Sequence, residues 1–249
     1  MTADTRIRDV SAYSDVGGLA PLVDSAVGLT ASLGFDHSCA PEQGQLLSVL
    51  ARGWRGGRIG ETGTGCGVGL AWMVEATDPT TSFVSIELDQ GRASAAAELF
   101  ADHPHVRVEQ GDWRGLVEHG PFDLLVLDGG GKGKDPSVDS PLDPAAGWPA
   151  VGGTVVLDDF IPAGAPGAAE HDAARRHWLE HPLLRATEIR LSPTLATIVA
   201  VRVRQRSAER PVSTARQSTP GQCSSDDASV MRQRYVNDGP RPRGRASGR

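Results

Sequence analysis

Cysteine and long apolar runs are both scarce in this chain, and each scarcity excludes something. Cysteine occurs only at Cys39, Cys66 and Cys223. Cysteines so few, odd in number and widely separated indicate neither a disulfide framework nor a zinc ribbon. No apolar run approaches the roughly 18 residues of a membrane span, and Met1–Val10 has no apolar stretch of the kind a secretory signal needs. A cytoplasmic protein with no membrane partner is the expectation.

Charge is ordinary in amount but uneven in place. The formal net charge is −6, which gives no general reason to expect a nucleic-acid partner. From Gln205 to Arg249 there are nine Arg against Glu209, Asp226, Asp227 and Asp238, so this stretch carries +5 and the rest of the chain −11. The stretch is also rich in Ser, Pro, Gln and Gly, with too little apolar surface to offset the entropy of ordering it, so a disordered tail is expected over 205–249.

The body alternates apolar strand patterns with helical ones. Strands are expected at Arg58–Glu61, Phe83–Glu87, Val106–Glu109, Phe122–Asp128 and Thr154–Asp158. Helices are expected at Val68–Ala76, Gln90–Ala101, Arg114–Glu118 and Ala168–His181. That alternation implies βαβ units and a mostly parallel sheet. Two further strand patterns, Ala186–Leu191 and Ala196–Arg204, are separated by a link too short for a crossover helix, so they should pair antiparallel. Leu19–Leu33 and Pro41–Leu50 read as helices covering the sheet or a pocket. The expected division is a helical cap over 1–57, a Rossmann-like α/β domain over 58–204 and the tail.

The strongest motif is Gly60-Glu61-Thr62-Gly63-Thr64-Gly65-Cys66-Gly67-Val68-Gly69. It follows a strand and opens a helix, where glycines allow close backbone approach and free N–H groups face a ligand. A dinucleotide fingerprint would need glycine at position 68, which is Val68. Glu87, ending the second strand in Ser-Ile-Glu-Leu-Asp, is placed to accept two ribose hydroxyls, with Leu88 beside it. Asp89 suits a helix N-cap.

The spacing E-x-G-x-G-x-G from Glu61 to Gly67 resembles motif I of class I S-adenosylmethionine-dependent methyltransferases. Over roughly Gly34 to Arg204 the chain is most similar to small-molecule O-methyltransferases of the catechol and caffeoyl-CoA types, whose segment before motif I looks like Pro41-Glu42-Gln43-Gly44-Gln45-Leu46-Leu47 here. The resemblance implies a three-layer sandwich with a seven-stranded, mostly parallel sheet ending in an antiparallel hairpin. It implies S-adenosylmethionine held by Glu61, Gly63, Thr64, Gly65, Gly67, Glu87 and Leu88. It further implies Asp112 on the adenine amino group, with Trp113 either covering the ring or belonging to the core, and Asp128 at the end of the site. A small-molecule acceptor follows, methylated on a hydroxyl oxygen; a homodimer is a possible assembly.

Hydroxyl acceptors need a base or a metal that acidifies them. In metal-dependent relatives an Asp after the fourth strand and Asp-Asn after the fifth bind Mg²⁺, which implies Asp128, Asp158 and Asp159 here. The plain alternative is one acceptor-binding Asp and two loop carboxylates. Those relatives place a Lys shortly after the first Asp; here Lys132 stands four residues on, a departure from their spacing, in a glycine-rich run that also reads as a mobile loop. His37, just before the Pro41 segment, is a second candidate base or a structural histidine. The rivals are an NAD-dependent oxidoreductase, which the glycine spacing opposes, and a non-catalytic cofactor-binding protein of the same fold. A nucleic-acid methylase is opposed by the glycines after Asp128 and by the lack of a Pro-Cys pair.

Overall fold

A computed structural model describes residues 10–135 and 139–204; the Arg-rich tail lies outside the described residues. Seven strands form one sheet: β1 (Arg58–Thr62), β2 (Ser82–Glu87), β3 (Val106–Gln110), β4 (Phe122–Leu127), β5 (Pro149–Phe160), β6 (Leu184–Arg190) and β7 (Ala196–Arg202). Their order is β3-β2-β1-β4-β5-β7-β6. The first five pair in parallel, while β7 runs antiparallel to both β5 and β6. The short Ser-Pro-Thr link thus makes the expected hairpin, and β7 enters between β5 and β6. This is the Rossmann-like fold with its reversed strand.

Among the described residues five α-helices accompany the sheet: α1 (Pro21–Leu33), α2 (Pro41–Arg52), α3 (Val68–Ala76), α4 (Gln90–Leu99) and α5 (Asp172–Glu180). Pro21 and Pro41 each stand in the first turn of their helices, where a missing N–H costs nothing. Gly34, at φ 61°, ends α1 in the left-handed conformation.

β4 shows why the sheet needs two covering layers. Leu124 and Val126 join Leu47, Ile59, Leu70, Met73 and Phe83 in the cluster formed with α1, α2 and α3. Leu125 and Leu127 join Leu157, Trp178 and Ile198 in a second cluster with α5. A strand buried on both faces reads as a continuous apolar run, as Leu124–Leu127 does. α1 and α2 pack against α3 and share its core, so they complete one layer as well as lying near the site.

Three elements differ from expectation. β5 begins at Pro149 rather than Thr154, since the Phe122 amide pairs with the Trp148 carbonyl at 2.7 Å and draws the preceding residues into the sheet. Arg114–Glu118 lies within a 3-10 helix, Trp113–His119. The stretch from Ala168 to His181 splits into a 3-10 turn, Ala168–His171, and α5.

Candidate active site

β1 and β4 are neighbours whose crossovers run to opposite sides, so a crevice opens at their carboxyl ends. The loop leaving β1 there closes on the start of β4's loop. A Cβ at Gly63 would lie 2.3 Å from the Gly129 Cα, and Gly63 has φ 82°. Only glycine permits that contact, and it brings motif I beside Asp128.

A cavity of about 420 Å³ occupies the crevice. Glu61, Gly63, Thr64, Gly65, Glu87, Leu88, Asp112, Trp113, Asp128, Asp158, Asp159 and His37 all line it. Residues from five separate strand ends and from the loop before α2 therefore meet at one cavity. Gly67 does not line it; it caps α3 at φ 84° with its Cα against Phe100.

Glu61 is 3 % exposed, and its Oε2 accepts a 2.6 Å hydrogen bond from Ser85 Oγ, which in turn lies 2.6 Å from Thr64 Oγ1. Burial pushes its carboxyl up to about 8, partly opposed by the Ser85 bond. A buried carboxyl at a cavity wall is suited to a cationic ligand group.

Glu87 ends β2 with both oxygens engaged. Oε2 accepts from the Gly65 amide at 2.8 Å, and Oε1 accepts from the Asp89 amide at 2.9 Å and from Arg92 at 2.8 Å. Three donors leave part of a carboxylate's acceptor capacity free for a hydroxyl. Asp89 caps α4 through the Arg92 amide, as expected. Asp112 accepts from the Arg114 amide and caps the 3-10 helix. Trp113 belongs to both cavity and core: it lines the cavity and stacks 5.6 Å from Trp148.

Phe35 and Arg92 were not singled out from the sequence, and both line the cavity. Arg92 sits 4.8 Å over the Phe35 ring while bonding Glu87. Phe35 Cε1 is where a Gly65 Cβ would need to be, at 2.9 Å. The loop carrying Phe35, His37 and Cys39 is held from behind: Trp72 donates to Tyr13 Oη at 3.1 Å, and Tyr13 donates to the Cys39 carbonyl at 2.8 Å.

At the other end lie Asp128, Asp158 and Asp159, each offering an oxygen within 4.8 Å of the others. Among the described residues Asp159 alone is a non-glycine with positive φ, at 63°. Lys132 reaches into this cluster. The residue is 6 % exposed and is not among those that line the cavity. Its ammonium lies 2.7 Å from Asp158, 3.6 Å from Asp128 and 3.7 Å from Asp159. Although burial opposes it, the three carboxylates raise its proton affinity. Burial, then the charge of Asp158, lifts Asp128 well above the usual carboxylate range.

The run Gly129–Lys134 is likewise no open loop. The Gly131 and Gly133 amides both donate to the Asp139 carboxylate at 3.0 Å. Leu142 donates to the Gly131 carbonyl at 2.9 Å, and the buried Trp178 indole donates to the Lys132 carbonyl at 2.9 Å.

No family model and no curated protein matches the sequence. Solved structures do. The O-methyltransferase TomG from Streptomyces achromogenes, involved in tomaymycin synthesis and solved with S-adenosylmethionine, aligns with TM-score 0.59 at 21 % identity, covering 82 % of this chain and all of that one (100 %). An O-methyltransferase from Bacillus cereus, solved with S-adenosylhomocysteine, aligns with TM-score 0.60 at 15 % identity, over 78 % and 96 % of the two chains. A Podospora anserina methyltransferase bound to S-adenosylhomocysteine gives 0.56 at 17 %, over 77 % and 92 %. At these identities the likeness is one of fold: the chain has the Rossmann-like seven-stranded fold of the S-adenosylmethionine-dependent O-methyltransferases.

Proposed function

We propose that this protein is an S-adenosylmethionine-dependent methyltransferase that methylates a hydroxyl oxygen of a small-molecule acceptor. One observation carries the reading: a single cavity runs from the buried Glu61 and the glycine turn, past Glu87, to the Asp128, Asp158 and Asp159 carboxylates. A cofactor half and an acceptor half thus share one wall.

The residues fit the cofactor. The turn at Gly63–Gly65 brings bare backbone to the cavity, and Glu61 offers a carboxylate to an ammonium group. Glu87 has acceptor capacity for ribose hydroxyls, and Asp112, Leu88 and Trp113 are at hand for the adenine. S-adenosylmethionine, when bound, supplies a methyl carbon on a positively charged sulfur and leaves as a neutral thioether. The chain's part is to hold an acceptor oxygen in line with that carbon, since positioning supplies much of the rate, and to take the hydroxyl proton. Asp128 stands at the junction of the two halves with its side chain 31 % exposed, and in its ionised form it is placed to act as that base. His37 also lines the cavity and is a second candidate for that base.

Mg²⁺, the second cofactor the resemblance implied, fits less well. Three carboxylates are the right donors for a hard cation, but an ammonium already lies among them. No step here runs through a metal.

The division into a helical layer over 1–57, the domain over 58–204 and a separate tail is retained as part of this proposal, as are a cytoplasmic setting and a homodimer. No helix among the described residues is long and apolar enough to cross a membrane. The function is tested by offering phenols, catechols, acyl-CoA thioesters and carboxylic acids with methyl-labelled cofactor. Label in a hydroxyl acceptor supports the reading. Tight cofactor binding with no transfer to any acceptor favours a binding protein of the same fold.

A further inference from the structure

We propose that Lys132 is the resident cation of the Asp128–Asp158–Asp159 cluster, and that the cluster handles its acceptor without a divalent metal. This deepens the methyltransferase reading and rests on it for the acceptor, while its test concerns the cluster alone. An ammonium carries three N–H donors on a compact charge. Here one oxygen from each of three carboxylates lies within 2.7, 3.6 and 3.7 Å of it. Mg²⁺ demands near-octahedral oxygens at about 2.0–2.1 Å and keeps several of its waters. It would have to gather the same three carboxylates beside a positive charge of fixed position.

Lys132 is enclosed, its side chain 7 % exposed. Its backbone is pinned on both sides, by Asp139 to the Gly131 and Gly133 amides and by Trp178 to the Lys132 carbonyl. The only other lysine of the chain supports the same geometry: Lys134 Nζ donates to the Asp159 carbonyl at 2.8 Å, holding the residue whose φ is 63°. Asp158, 7 % exposed in its side chain, takes the ion pair. Asp128 and Asp159, at 31 % and 26 %, keep carboxylate surface toward the cavity. An acceptor then binds by donating a hydroxyl hydrogen bond to a carboxylate. It has no need of the paired oxygens that chelation to a metal requires.

The test is a titration of Mn²⁺ into the full chain with S-adenosylhomocysteine present, free metal being read by electron paramagnetic resonance. Wild type is expected to leave Mn²⁺ free. Lys132→Met, which removes the charge and keeps the bulk, is expected to take up one Mn²⁺ per chain, tighter by about tenfold or more. One Mn²⁺ bound per wild-type chain overturns the proposal, and so does a folded Lys132→Met that binds none. If the Met variant fails to fold, Lys132→Gln takes its place. If neither folds, the wild-type titration decides alone: free metal supports the proposal and bound metal overturns it. S-adenosylhomocysteine binding followed in the same samples separates failure of the cofactor reading from failure of this one.

Discussion

The Gly65 amide donates to Glu87 Oε2 at 2.8 Å, tying the glycine turn after β1 to the end of β2. Glu87→Ala should therefore act twice, removing a ribose acceptor and loosening the turn. Charged hydrogen bonds of this kind contribute about 1.5–3 kcal/mol, so S-adenosylhomocysteine affinity should fall about tenfold to a hundredfold. Calorimetric titration checks this, and an unchanged dissociation constant removes Glu87 from the site.

Gly65→Val should abolish measurable cofactor binding in a protein that still folds. The residue has φ 56°, and its Cβ would meet Phe35 at 2.9 Å. A β-branched side chain at positive φ is strained by about 1–3 kcal/mol, and relief means moving the turn or displacing Phe35 and with it Arg92. Circular dichroism and titration together decide; near-normal affinity in the folded variant refutes the assignment of the turn.

Glu61 makes stability and binding depend on pH in opposite senses. Its carboxyl is raised to about 8 in the folded protein, against about 4.3 in an unfolded chain. Its contribution is fully present below about 4.3 and is lost as pH rises to about 8, at about 1.4 kcal/mol per pH unit. An ammonium ligand favours the ionised form, so S-adenosylhomocysteine should bind more tightly as pH rises toward 8, with release of a proton. Titrations in buffers of different ionisation enthalpy measure that proton. Glu61→Gln should flatten both pH dependences, and a variant that retains them shows that another group titrates.

Removing residues 205–249 should leave the melting temperature and cofactor affinity unchanged. The seven described strands and the described residues lining the cavity lie within 10–204. A large fall in melting temperature on truncation shows that the tail docks.

What the sequence revealed was whatever is written locally. Val68–Ala76 has its helix bounds set by a glycine turn and a closing threonine, and β4 announces itself by six successive residues of which five are buried. The hairpin was legible because Ser192–Leu195 leaves no room for a crossover. The motif residues are adjacent in sequence, so they were found together. The surroundings of Lys132 were not legible because a glycine run has no periodicity, and its restraints come from Asp139, Leu142 and Trp178. Phe35 and Arg92 escaped for a related reason. One follows α1 and the other sits in the first turn of α4, and only the fold brings them onto each other and onto Gly65.

The most direct test of the central claim is calorimetric titration of the full chain with S-adenosylhomocysteine, beside an identical titration with NAD⁺. The account predicts one S-adenosylhomocysteine bound per chain, loss of that binding in Gly65→Val, and no heat from NAD⁺. Saturable NAD⁺ binding with none for S-adenosylhomocysteine would contradict it.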